Sequence, residues 1–429
     1  MKHSTIQLFN LSTAAAIAFA IATSAFAELT VTGVTARQRW PWNSLVDVDF
    51  TVNGDNGEAY CIDISATAED GAKKLDAKTF ASEPIAQSGK KTRVVWDLGA
   101  DYPDFRADDL QVTVTATPYA DNTPVYLVVD ISGGASAPRW PVRYTTQAPV
   151  HTAGVEDACK TTEIWLKRVK AGTITMGKGN GSSDPMCHVS YTCVLTNDYY
   201  LGIFPVTQAQ HRNLTGGYAS KFTNALYRAT RPVDSMRHDS LHYPYFNSAN
   251  PAQSIRNFNG SCVLGRLRNR TGLGFLLPTQ WQWEYACRAG STGDRYPGCA
   301  YRHSGNSIPP STYEWKSVQG MWSANYGTSY VDAYSPNAWG FYSMLGNVME
   351  LCLNRELWGF AKDATLTEPL GPTGTGDDTR KRVAKGGCWN WGAEYSIAPF
   401  FVTRDPWESG QISWSYGYRL CLPVWNVKW

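Results

Sequence analysis

At 429 residues the chain is long enough for two or three domains, each burying a core of its own. A formal charge of +2 with 18% charged residues leaves no electrostatic case for nucleic acid or an anionic membrane as the main partner. Beyond the first 27 residues no window reaches about 18 uninterrupted apolar residues, which argues against a membrane span in the body of the chain.

Residues 1–27 read as a secretory signal peptide: Lys2 and His3 give a short positive start, residues 14–22 an apolar middle, and Ala25-Phe26-Ala27 a small-x-small cleavage site. The mature chain is expected to begin near Glu28 and to be secreted, periplasmic or displayed at the cell surface. All ten cysteines follow that point, in a chain bound for an oxidising compartment, so several disulfides are expected. None sits in a Cys-x-x-Cys pair, which removes the commonest zinc and thioredoxin-like readings. Cys187 and Cys193 are spaced to close a small loop, and the remaining pairing stays open.

Residues 28–145 carry short alternating segments at 45–50, 61–64, 93–96 and 112–115, separated by turn-rich spacers at 53–57 and 88–90. Strands returning at this spacing predict an all-β, immunoglobulin-like or fibronectin-like sandwich, with Asp and Lys mostly on its solvent side. It holds no catalytic constellation and reads as a spacer or docking module. Glycine, proline and small residues between 133 and 160 break the period, placing a linker at 146–159 with Trp140 and Tyr144 docked against a neighbour.

After the linker, residues 163–176 alternate like a strand and run into a glycine-rich loop without the Gly-Lys-[Ser/Thr] ending of a phosphate loop. Thr207 is placed to cap a helix starting at Gln208. His238 and His242 stand four apart, as a metal-binding pair on one helical face would, but no carboxylate follows at ligand spacing and Pro244 interrupts the segment. Thr279 and Gln282 form a capping box for a helix over 280–288, which Gly290 stops.

The run from Asn337 to Glu350 interleaves small, amide and aromatic residues with no period, as a packed and looped segment does, with Gly340 and Gly346 supplying conformations a Cβ would forbid. It resembles the Asn-x-x-Gly-Leu-Tyr-Asp-Met-x-Gly-Asn-Val-Trp-Glu-Trp signature of the formylglycine-generating enzyme, or sulfatase-modifying factor, family. Gly-Ile-Phe-Pro-Val-Thr-Gln (202–208), Leu-Pro-Thr-Gln-Trp-Gln-Trp-Glu-Tyr-Ala (277–286), Lys-Gly-Gly-Cys-Trp (385–389) and Gly-Tyr-Arg (417–419) agree in order. The resemblance implies an α+β, C-type-lectin-like, irregular and loop-rich domain over residues 160–429, behind the β-sandwich. Leu276 and Gln280 replace the family's Arg and first Glu in the second motif, which puts one buried ion pair in doubt.

Family members that oxidise a sulfatase cysteine hold copper(I) between two thiolates. Counted from Gly386-Gly387, those positions fall on Trp391 and Ser396, neither of which supplies a soft sulfur ligand, so copper is not expected. Cys388 is the only thiol near the turn and reads either as a disulfide partner or as an exposed, reactive thiol. Aromatic residues crowd the next thirty positions, and Trp389, Trp391 and Trp407 are the cleft candidates with Cys388 and Ser396. The resemblance also implies a bridge from Cys421 to Cys262, places the family's partner for Cys287 on Phe401, and implies one structural calcium at Ser343, Gly346, Val348 and Glu350. A second calcium is less favoured, because the loop before Val331-Asp332 is shortened. Two functions follow. One is a secreted protein binding a peptide, protein or glycan in an aromatic cleft. The other is a copper- or metal-dependent oxidase of protein cysteine, a bacterial sulfatase among its conceivable partners, at a site shifted to Cys388 with Cys352 or Cys421.

Overall fold

The computed structural model describes residues 28–39, 43–106, 109–177, 190–223, 227–242, 259–296, 327–355, 363–367, 381–389, 398, 401–404 and 414–424. The signal-peptide segment, Cys187, Trp391, Ser396 and Trp407 therefore lie outside the described residues.

The N-terminal part is a β-sandwich. One sheet joins β1 (Thr30–Gln38), β2 (Leu45–Asn53) and β6 (Lys91–Asp97); the other joins β4 (Lys73–Asp76), β3 (Ala59–Ala68), β5 (Ile85–Gln87) and β7 (Gln111–Pro118). Side chains alternate across a strand, so β2 buries Val46, Val48, Phe50 and Val52 while β3 buries Tyr60, Ile62, Ile64 and Ala66 against them. Each such aliphatic burial contributes roughly 1.5–3 kcal/mol before the entropy of ordering is set against it. Asp47 departs from the expected solvent-facing charge: it is 3% exposed and accepts from Arg37 and Arg39 at 3.0 and 2.8 Å. Burial alone would raise that carboxyl, and the arginines override it and hold it below its ordinary value.

A five-stranded sheet follows, in the order β19 (Cys421–Pro423), β13 (Tyr199–Gly202), β10 (Glu163–Val169), β8 (Tyr126–Asp130) and β9 (Val142–Thr145). Its last two strands fall within the 28–145 stretch that the sequence pattern gives to the sandwich. Hydrogen bonding pairs β8 with β10 and with β9, while Phe80 bridges both Trp96 of β6 and Tyr144 of β9. Alternation is the same in both sheets and cannot tell a strand which neighbour it will pair with. The 146–159 segment is pinned as well: Asp332, buried, accepts from the Lys160 ammonium at 2.7 Å and from Gly154 N–H at 3.1 Å, with His151 Nδ1 at 3.0 Å. Trp140 docks as expected, 2% exposed beneath the Arg270 guanidinium. Phe80 exchanges backbone hydrogen bonds with Tyr144, and Arg168 bridges Glu83 of the sandwich to Asp198, so the two parts share polar contacts.

Two smaller sheets complete the chain: β11 (Gly172–Met176), β12 (Tyr191–Leu195) and β15 (Thr365–Thr367), then β17 (Phe401–Arg404), β16 (Arg382–Lys385), β14 (Met349–Arg355) and β18 (Tyr416–Gly417). The helices are short: α1 (Leu98–Asp101), α2 (Ala158–Thr161), α3 (Gln208–Thr215), α4 (His238–Leu241), α5 (Val263–Thr271) and α6 (Gln280–Arg288). Both predicted caps form as reciprocal boxes, Thr207 with Gln210 on α3 and Thr279 with Gln282 on α6. The left-handed stop of α6 begins one residue earlier than expected, at Ala289. α4 is a single turn with His242 as its C-cap, and the two histidine rings sit 6.2 Å apart in buried surroundings.

Candidate functional site

The motif stretches meet in one place, and it is packed solid. Glu350, 1% exposed, accepts from Arg419 Nη2 at 2.8 Å on one oxygen and from Arg419 Nε at 2.9 Å and Trp283 Nε1 at 2.6 Å on the other. Arg419 also donates to the carbonyls of Gly202 and Tyr342, joining three of the five motifs through one guanidinium, and Glu350 adds a fourth through Trp283. Glu284 accepts from Arg288 and from the backbone N–H of Gly177 on one oxygen, and from Lys385 at 3.0 Å on the other. Burial pushes the Glu284 carboxyl up, and the pull of Lys385 and Arg288 overrides it, holding the group ionised. Gly346 N–H donates to the Gly386 carbonyl, and Trp389 N–H to the Asn347 carbonyl. A Cβ on Gly386, whose φ is +98°, would sit 2.9 Å from the Met344 carbonyl and 3.1 Å from the Trp283 ring.

Several sequence-predicted site residues belong to this frame and not to a cleft. Trp389 is 2% exposed, stacks edge-on against Phe222 and donates to the Trp414 carbonyl; it is core. Cys388 is fully buried, which removes the exposed-thiol alternative. Cys262 and Cys421 are both thiols, correcting the bridge that the resemblance implied: the Cys262 sulfur accepts from Gly265 N–H at the start of α5, and the Cys421 sulfur faces the Gln282 amide. Cys388 packs with the Trp389 and Tyr418 cluster, whereas Cys352 and Cys421 pack with the Trp283 cluster.

Among the described residues an open cleft of about 590 Å³ lies elsewhere, between α3, α4 and α5. Met236 and Val263 give it an apolar floor, Arg237, Asp239 and Arg266 its charge, and the hydroxyls of Thr215, Ser235, Ser240 and Ser261 its polar wall. Arg237 and Asp239 are paired with each other. His211 also lines it, with Nδ1 3.0 Å from the Tyr418 hydroxyl, and burial lowers this imidazole to about 4, leaving it neutral near pH 7. Sequence reasoning missed the cleft; the available signal was two short runs, 235–240 and 259–266, that mix hydroxyls with arginine beside helix starts.

Residues 152–423 match the sulfatase-modifying factor enzyme 1-like domain family. The chain belongs to this family. It is 26% identical over 254 residues to the serine/threonine-protein kinase pkn1 of Chlamydia pneumoniae, covering 58% of this chain and 36% of that protein. It is 34% identical over 128 residues to the formylglycine-generating enzyme of Mus musculus, covering 28% of this chain and 31% of that enzyme. The alignments thus span about a third of each of these two relatives. Among solved structures, Treponema denticola variable protein 1 aligns over 64% of this chain and 99% of its own at 20% identity, with a TM-score of 0.44.

Two cofactors known in the sulfatase-modifying factor family can be tested against the residues present. Copper(I) fails on donor chemistry, because an indole N–H at Trp391 offers no metal lone pair and the Ser396 hydroxyl is hard and protonated. In the set implied for calcium, Ser343, Gly346, Val348 and Glu350, the one carboxylate is already engaged. Both Glu350 oxygens already accept from the Arg419 guanidinium, which also reaches the Ser343 carbonyl at 3.5 Å. Asn347 closes the loop with a two-way amide hydrogen bond to the Ser329 backbone. The Arg419 guanidinium thus holds this turn from within. Asp332, of the less favoured second calcium, likewise contacts the Lys160 ammonium. Among the described residues no group of three or more His, Cys, Asp or Glu is arranged to hold a metal ion, and no helix is long and apolar enough to cross a membrane.

Proposed function

We propose that the chain is a secreted ligand-recognition member of its family, working through the cleft between α3, α4 and α5, and that it lacks formylglycine-generating activity. The observation that carries this reading is Trp391 and Ser396 at the two thiolate positions of the oxidising members. A second support is the state of the buried sulfurs. Cys352 and Cys421 are fully buried, away from any peptide substrate in solvent. The cleft, by contrast, offers charged and hydroxyl groups to solvent. The competing reading is an oxidase at a shifted thiol pair, Cys388 with Cys352 or Cys421. Copper content after anaerobic loading with copper(I) separates the two. The binding reading expects no copper to survive desalting, and one tightly held copper per chain overturns it.

A further inference from the structure

Resting on that reading, we propose that the cleft selects a saccharide bearing an anionic group, a carboxylate or a sulfate ester. A hydroxyl has one proton to donate and two lone pairs to accept with. Each of the four hydroxyls lining the cleft donates inward: Thr215 to the His211 carbonyl, Ser235 to the Asp234 carboxylate, Ser240 to the Arg237 carbonyl and Ser261 to the Asn259 side chain, at 2.6–2.8 Å. What they have left for a ligand is acceptor capacity, most of all on the three serines, since Thr215 Oγ1 also accepts from Gly217 N–H at 3.3 Å. A matching ligand must therefore present several closely spaced donors, as a polyol does. A peptide brings one backbone N–H per residue, too sparse for this wall.

The charge of the cleft points the same way. Arg237 and Asp239 cancel, and Arg266 donates only its Nε, to the Ser261 carbonyl at 3.0 Å, so its Nη groups have no carboxylate among the described residues. His211 stays neutral. Among the described residues the cleft thus carries one uncompensated guanidinium, and at its edge Arg212 and Arg228 both lie over the Tyr218 ring, beside Ala219 of the lining. A planar guanidinium fits a carboxylate or sulfate with two parallel hydrogen bonds, and the Met236 and Val263 floor suits the C–H face of a sugar ring. A volume of about 590 Å³ is within the range of about 300–1,000 Å³ usual for small-ligand sites.

Titration calorimetry on the full mature chain tests this with four probes: trigalacturonate, a sulfated galactan trisaccharide, neutral maltotriose and an aspartate-rich hexapeptide. The expected result is that at least one anionic saccharide binds tenfold or more tightly than maltotriose, a gap of about 1.4 kcal/mol, with the first two probes telling carboxylate from sulfate. Arg266→Gln is expected to close that gap at an unchanged thermal midpoint; should the midpoint fall, Arg266→Lys, which keeps the charge, is expected to restore most of it. Equal binding of charged and neutral saccharides, a preference that survives in Arg266→Gln, tighter binding of the hexapeptide, or no binding at all would each overturn the proposal. If no probe binds and no copper is held, only the ligand class fails; retained copper would bring down the binding reading itself.

Discussion

The frame around Glu284 and Glu350 and the cleft between α3, α4 and α5 are both rich in charge, yet they are built on opposite plans. In the frame every carboxylate oxygen of the two glutamates is taken by a protein donor, and Glu350 and Arg419 are 1% and 0% exposed. In the cleft Arg266 is half-buried with its Nη groups unpaired with any carboxylate among the described residues, and the serine hydroxyls donate their protons to the chain. The contrast teaches that dense sequence motifs here mark architecture. A group satisfied on all sides by its own chain cannot also bind a ligand, whereas unused capacity at an open surface can.

The comparison breaks most sharply at the Glu350–Arg419 pair. Removing one partner leaves the other charged and buried, so Arg419→Met and Glu350→Gln are each expected to destabilise folding by about 3–5 kcal/mol, read by urea unfolding. A Glu350→Gln protein that keeps its stability but loses ligand binding would place function in the frame. Acid should act through Glu284. Its folded value is depressed below the ordinary 4.5, so the stability it contributes is present above that value and is lost as pH falls through the folded one. The thermal midpoint should therefore fall on acidification below pH 4.5, and Glu284→Gln should be less stable at pH 7 but show a flatter acid limb. A steep acid limb kept in the variant would shift the effect to another carboxylate. Smaller again, Thr279→Ala removes a cap hydrogen bond at the start of α6 and should cost about 1 kcal/mol, with Thr279→Ser recovering most of it. The smallest expected effect is from chelation: with Arg419 as the cation of the turn, EDTA followed by millimolar calcium should leave the midpoint in place. A rise on adding calcium that is absent in Glu350→Gln would restore the metal to that loop.

What the sequence made legible was local or patterned. The caps at Thr207 and Thr279 form because a hydroxyl and an amide three residues apart need nothing else to find each other. The β2, β3, β6 and β7 strands follow from alternation, and the family resemblance on Asn337–Glu350 holds, with the positive φ of Gly340 and Gly346 where it was expected. What escaped was set by partners far along the chain. Glu350 meets Arg419 across 69 residues, and nothing near either one says that an arginine will take both carboxylate oxygens. β8 and β9 look like more sandwich until their hydrogen bonds are counted. Trp389 was given to a cleft because aromatic crowding looks the same in a core as in a binding surface. The cleft residues escaped because scattered serines and arginines carry no period and come together only when three short helices pack.

The central claim is that the motif-bearing frame builds the domain without performing the family's oxidation. Its most direct test is to incubate the mature chain with copper(I), dioxygen and a peptide carrying a Cys-x-Pro-x-Arg sequence, and to follow the peptide cysteine by mass spectrometry beside a Cys388→Ser control. The account predicts that the cysteine survives unchanged in both; its conversion to an aldehyde by the parent chain, faster than in the control, would contradict it.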